Sequence, residues 1–286
     1  MHTQYHRKSA PHNCAPLKNA GCDTILAHAG QQGIHSMVTL VLSTEEQCEA
    51  YTSDEMIPLL RSLSPQFGNF LSREGHTLLQ GKPIYWTSSE TAPESIVLHD
   101  AENAHVIEDN SSIIIVLKRF PEEKEDVYVA AHELCHILLG REGFPFPKRL
   151  PGNASLAFSL YAMIQDPLVN MRLSHYGFDV IEHYTANVHA ALSMLAQKTS
   201  PTDFLDRLLW CCNIVGIMLD GEYSRAIEIK QQFQERMFGK FPDLVPEITR
   251  LYSLVRETGF ETPAQQRKLL RGITKKYHLY DLPHEE

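Results

Sequence analysis

Apolar side chains recur at three- and four-residue intervals through most of the second half of the chain, the spacing that lines one face of a helix. Helices are predicted over 153–175, 180–197, 202–219, 223–238, 243–258 and 262–276. The first half has a different texture. Met37-Val38-Thr39-Leu40-Val41-Leu42 reads as a strand, and Pro83-Ile84-Tyr85-Trp86 and Ser95-Ile96-Val97-Leu98 as shorter ones. Thr44-Glu45-Glu46-Gln47 has the form of a helix opening with its capping residue and predicts a helix to about Leu63, broken at Pro58. The strongest strand is Ser112-Ile113-Ile114-Ile115-Val116-Leu117, β-branched and bounded by turn formers.

A few residues later, Val127-Tyr128-Val129-Ala130-Ala131 and Ile137-Leu138-Leu139-Gly140 flank a polar group in what reads as one helix, with Gly140 as its terminal left-handed residue. The acidic run Glu122-Glu123-Lys124-Glu125-Asp126 precedes it, where a helix N-terminus favours negative charge. A loop rich in Pro and Gly follows, from Arg141 to Gly152. The pattern as a whole predicts an α+β protein: a small mixed β-sheet with the polar helix, then a mainly α-helical C-terminal half. Residues 1–30 lack periodicity and predict a flexible tail, 31–150 an α+β half and 151–286 an all-helical half.

Composition narrows the functional classes. At 286 residues the chain can bury a sizeable core, as one large domain or two small ones. A formal net charge of −9 argues against a general binder of nucleic acid or anionic membrane. The most apolar run, Leu208 to Leu219, contains Asn213 and is too short to span a bilayer. No apolar stretch follows Met1-His2-Thr3-Gln4-Tyr5-His6-Arg7-Lys8, which argues against a signal peptide. Cys14, Cys22, Cys48, Cys135, Cys211 and Cys212 form no regular framework and read as reduced thiols of a cytoplasmic protein.

The chemistry sits in His132-Glu133-Leu134-Cys135-His136, an H-E-x-x-H pattern. Histidines one helical turn apart project from one face, so both imidazoles reach a single metal ion. Glu133 stands beside the first histidine, placed to act on water rather than on the metal. Cys135 has apolar helix neighbours and reads as an inert core thiol. The scattered His2, His6, His12, Cys14, Cys22 and His28 fit no regular zinc module.

A strand, an acidic turn, an H-E-x-x-H helix and a helical region together resemble the zincin metallopeptidases. The resemblance rests on residues 112–140 and on the coarse layout of 112–175. It implies Zn²⁺ as cofactor, a peptide or protein as substrate, and an edge strand that holds the substrate extended, for which Ile113–Leu117 is the candidate. In the metzincin group a third ligand lies shortly after the motif with a glycine midway; here Glu142 takes that place, but the glycine falls at Gly140 rather than at Leu139. In the gluzincin group the ligand is an acid on a following helix, with a polar residue one turn on that orients the first histidine. Asp166 and Asn170 of Asp166-Pro167-Leu168-Val169-Asn170 are similar in placement, among apolar neighbours where an unpaired acid is expensive.

Asp166 before Pro167 also fits a helix N-cap with proline at the first turn, which needs no metal. Glu142, His175, Glu182 and His183 are the other candidates for third ligand. The implied site therefore has His132, His136 and Asp166 on zinc, Asn170 behind His132, and Glu133 as general base toward a zinc-activated water. Tyr161, Arg172, His175, Tyr176 and Tyr184 are candidate donors to the developing oxyanion. The alternative is a catalytically inactive zincin-like protein that binds metal or peptide in a regulatory role, against which the intact Glu133 argues. A helical interaction protein with incidental histidines is the third reading.

Overall fold

The computed structural model describes residues 37–42, 46–93, 96, 103–108, 111–145 and 154–279. Strands β1 (Val38–Val41), β2 (Gln47–Thr52), β3 (Ile84–Ser88), β4 (Ala104–Glu108) and β5 (Ile113–Leu117) form one mixed sheet in the order β1-β2-β3-β5-β4. β3 and β5 run parallel, with Ile84 opposite Ile113 and Ser88 opposite Leu117, and the other neighbours are antiparallel. The continuous apolar run of β5 follows from its place inside the sheet, covered on both faces. Ile113, Ile115 and Leu117 join the helical side, while Ile114 and Val116 meet Leu40, Leu42, Cys48, Ala50, Tyr85 and Ile96 on the other.

Three expectations change here. Thr44, where a helix is foreseen to open, lies outside the described residues, and Gln47–Thr52 of that span is strand β2 rather than helix, with Cys48 and Ala50 alternately buried. The capping signature that operates is the next one along, Thr52 to Glu55, where the Glu55 carboxylate accepts the Thr52 backbone N–H at 3.0 Å and opens α1 (Ser53–Leu63). Pro58 lies within α1 rather than breaking it. Strand Ile113–Leu117 is interior, so it cannot offer a free edge; that edge belongs to β4, a half-buried strand with too little apolar content to announce itself. Of the strand expected at 95–98, only Ile96 lies within the described residues, and the expected tail 1–30 lies outside them.

Helices α2 (Pro65–Leu78), α3 (Lys124–Arg141) and α1 cover the sheet, and α4 (Ala154–Ser174), α5 (Val180–Leu195), α6 (Phe204–Tyr223), α7 (Ile227–Lys240), α8 (Val245–Thr258) and α9 (Pro263–Lys276) form the helical part. These last six fall where the apolar spacing places them. α4 belongs to both cores. Its Leu160, Met163, Ile164 and Leu168 face the helical core, and its Val169 and Leu173 face the core beneath the sheet.

Pro167 sits inside α4, where it cannot donate to the Met163 carbonyl one turn back. At that same turn α6 comes close: a Cβ placed on Gly216 would lie 3.1 Å from Met163 Cα, a backbone atom of a buried helix. Alanine in a helix interior normally gains about 0.5–1 kcal/mol over glycine. Gly216→Ala should instead lower the thermal midpoint, because the added methyl overpacks the α4–α6 contact. Gly272→Ala in α9, where a Cβ meets no atom within 4 Å, should raise it. Opposite signs for the two variants in a thermal melt are the expected result.

Candidate metal centre

The helix that carries the motif is tightly specified at both ends. At its start the Asp126 carboxylate accepts the backbone N–H groups of Glu122 (3.0 Å) and Glu123 (3.1 Å) and pairs with Arg119 Nε at 3.0 Å. At its end the left-handed residue is Gly143, φ 85°, three residues beyond the expected Gly140. Gly143 N–H donates to the Gly140 carbonyl and Phe144 N–H to that of Leu139, both at 3.0 Å, the paired bonds of a Schellman ending. Between these caps nearly every side of α3 is buried. Val129, His132, Glu133 and His136 line a cavity of about 380 Å³, a volume typical of small-molecule and peptide sites.

Asp166 of α4 faces the two histidines across this cavity. His132 Nε2 and His136 Nε2 are 3.1 Å apart, and Asp166 Oδ1 lies 3.6 Å from the first and 3.2 Å from the second. A tetrahedral ion with bonds of about 2.0–2.1 Å holds its ligand atoms roughly 3.3 Å apart, so the three atoms fit one such ion. Among the described residues His132, His136 and Asp166 are the group of this kind. Two imidazoles and a carboxylate suit a borderline divalent ion such as zinc or iron(II) better than magnesium or calcium.

The electrostatics agree with the geometry. Burial pulls the His132 imidazole down, but its hydrogen bond and charge contact with Asp166 outweigh this and lift it to about 9. Burial alone would raise the Asp166 carboxyl, yet the hydrogen bonds from His132 and His136 hold it well below the usual carboxylate range. Asp166 is therefore an anion at neutral pH, ready to meet a cation. The N-cap alternative for Asp166 does not apply, because α4 already runs from Ala154.

Both histidines are held from behind by a side-chain amide. Asn170 Oδ1 lies 3.2 Å from His132 Nδ1 and also accepts the Tyr128 hydroxyl at 2.5 Å. Gln165 Oε1 lies 3.2 Å from His136 Nδ1, while its Nε2 donates to the Pro145 carbonyl at 2.6 Å. An amide whose NH₂ is occupied in this way presents its oxygen to the imidazole. With Nδ1–H held on the amide oxygen, each ring turns Nε2 toward Asp166, where a bound metal would take the place of the Nε2 proton. Asn170 thus lies behind His132 on its Nδ1 side. Gln165 and Tyr128 went unforeseen; the signal for Tyr128 is its position one turn before His132 on the same helix face.

The other candidates lie elsewhere. Glu142 forms a two-pronged pair with Arg172, at 3.0 and 2.6 Å, and Arg172 also binds Glu74 at 3.3 Å. Tyr176 donates to Glu74, Tyr184 is buried against Gly221, and His175 and Glu182 are exposed. His183 does line the cavity but stacks flat on Tyr128, with ring centroids 3.4 Å apart. Burial, the main cause, pushes its imidazole down to about 4, so it is neutral. Tyr161 is the one expected oxyanion donor on the cavity wall, which Asn103, Ala104, His105 and Val106 of the β4 edge complete. Cys135 is fully buried, and burial pushes its thiol up, as an inert core residue requires. Cys48, Cys211 and Cys212 are also buried and unbridged. Among the described residues no helix is long and apolar enough to cross a membrane.

Comparison with protein-family models, with curated proteins and with solved structures gives no match for this chain.

Partners behind metal-bound histidines typically contribute 10–100-fold in affinity. Asn170→Leu and Gln165→Met should each weaken divalent-metal binding by about that factor, measured by competition with a chelator. Ser159→Ala, a change on the cavity wall, should leave the affinity within about twofold.

Proposed function

We propose that this chain is a zinc-dependent metallopeptidase of the zincin type, hydrolysing peptide bonds with Glu133 as general base. The observation that carries the proposal is the convergence of His132 Nε2, His136 Nε2 and Asp166 Oδ1 within 3.1–3.6 Å on a cavity that Glu133 also lines. Zinc held there would supply Lewis acidity, activating water at neutral pH and polarising a carbonyl.

The chain's own groups do the rest. Glu133 takes a proton from the attacking water and returns it to the leaving amine. Tyr161 donates toward the oxygen on which charge develops. The edge of β4 offers backbone groups to an extended peptide, laying it along the cavity as an added strand. This role passes to Ala104–Glu108 from the interior strand Ile113–Leu117. Glu133 also favours zinc hydrolysis over iron chemistry on the same ligand set, since a buried acid beside a ligand histidine has a task in the former.

Elemental analysis of the purified protein should find about one zinc per chain, lost in His132→Ala and in Asp166→Ala. Glu133→Gln should retain the metal and lose at least about 100-fold in cleavage of a peptide library. Iron in place of zinc, or cleavage that survives in Glu133→Gln, would defeat the proposal. Zinc binding without cleavage by the parent would move the chain to the inactive, metal-binding class.

A further inference from the structure

The amide of Asn170 is turned by a residue from a third helix. Its Nδ2 donates to Asp220 Oδ1 of α6 at 2.8 Å, and Ser224 Oγ donates to the same oxygen at 3.0 Å. Asp220 is 7% exposed, and among the described residues no Lys or Arg pairs with it. A buried carboxylate without a cationic neighbour is expensive, and hydrogen bonds to it recover only part of the cost. A chain of groups leads from it: Asp220, Asn170, then His132. A cation held by the histidines would stand at the far end of that chain.

We infer that Asp220 is a positioning residue of the metal centre, acting on His132 at one remove through Asn170. A carboxylate only accepts hydrogen bonds, so it compels Asn170 to present NH₂ to α6 and oxygen to His132. The oxygen in turn sets the Nδ1–H form of the ring, the form whose Nε2 binds metal. An amide at position 220 loses this direction, because it meets Asn170 with either its oxygen or its nitrogen. The buried charge that balances a bound cation is lost as well. This role rests on the metal site proposed above, but it predicts something that site alone does not: dependence on a residue of α6 that touches none of the three ligands.

The test is zinc titration against a competing chelator in three proteins: the parent, Asp220→Asn, and the exchange Asn170→Asp with Asp220→Asn. Asp220→Asn should bind zinc about 10–100-fold more weakly. The exchange should recover most of the loss, because the carboxylate moved to position 170 would accept from His132 and the amide at 220 would donate to it. A purely structural role for Asp220 predicts no such recovery, and folding of each protein is checked by circular dichroism. Parent-like affinity in Asp220→Asn overturns the inference, as does an exchanged protein that folds yet stays as weak as the single variant. If Asp220→Asn does not fold, the exchanged protein decides alone: near-parental affinity supports the inference and weak binding overturns it. A parent that binds no zinc removes the metal site itself and this role with it, an outcome distinct from the others.

Discussion

Everything at the candidate centre depends on α4 being held between two cores. Its Leu160, Met163, Ile164 and Leu168 are buried on one side, and its Val169 and Leu173 on the other. Each large apolar side chain fixed this way is worth about 2–5 kcal/mol against truncation to alanine. That grip is what keeps Asp166 opposite the histidines of α3. The anion is brought to within 3.6 Å of two imidazoles by the packing of helices rather than by a loop, and sites built on helices are held more tightly than sites on loops. Gly216 of α6 lets the two backbones approach closely at Met163, one turn before the proline inside α4.

A second layer converts this placement into chemistry. Two amides, Asn170 and Gln165, stand behind the two histidines, and each has its nitrogen tied to an acceptor. Neutral amides in these positions orient the rings without adding charge, so the acids around the centre are Asp166, Glu133 and the deeper Asp220. Burial raises the Asp220 carboxyl to about 6, offset in part by its bond from Asn170. It remains mostly ionised at neutral pH. Polar groups this deep are tolerated because they are hydrogen-bonded in sequence, not singly.

The cavity's outer wall is a sheet edge. β4 pairs with β5 on one side only, and three of its residues, Ala104, His105 and Val106, meet the cavity opposite α3. An exposed edge is normally a hazard, blunted by charge or cover. Here it is short, lies beside the proposed catalytic groups, and carries Glu108 bound to Lys82 at 2.7 Å near its end.

Much of this was legible along the chain. The helices after residue 153 and the motif helix follow from apolar spacing and capping, which are local properties. So do His132, Glu133 and His136, since the separation of residues on a helix fixes which side chains share a face. Asp166 and Asn170 were legible through their spacing and apolar surroundings, by resemblance to a known layout. Other features depended on neighbours distant in sequence. Thr44–Gln47 and Thr52–Glu55 both carry a helix-opening signature, and only pairing of Gln47–Thr52 with β1 and β3 selects the second. The edge role fell to β4 rather than β5 because strand order is set by pairing and not by hydrophobicity. Gln165, Tyr128 and Asp220 are ordinary residues on ordinary helices until packing brings their polar atoms within hydrogen-bond reach of one another or of a histidine. Local periodicity determined the helices that carry the His132, His136 and Asp166 cluster; long-range packing decided which polar atoms meet.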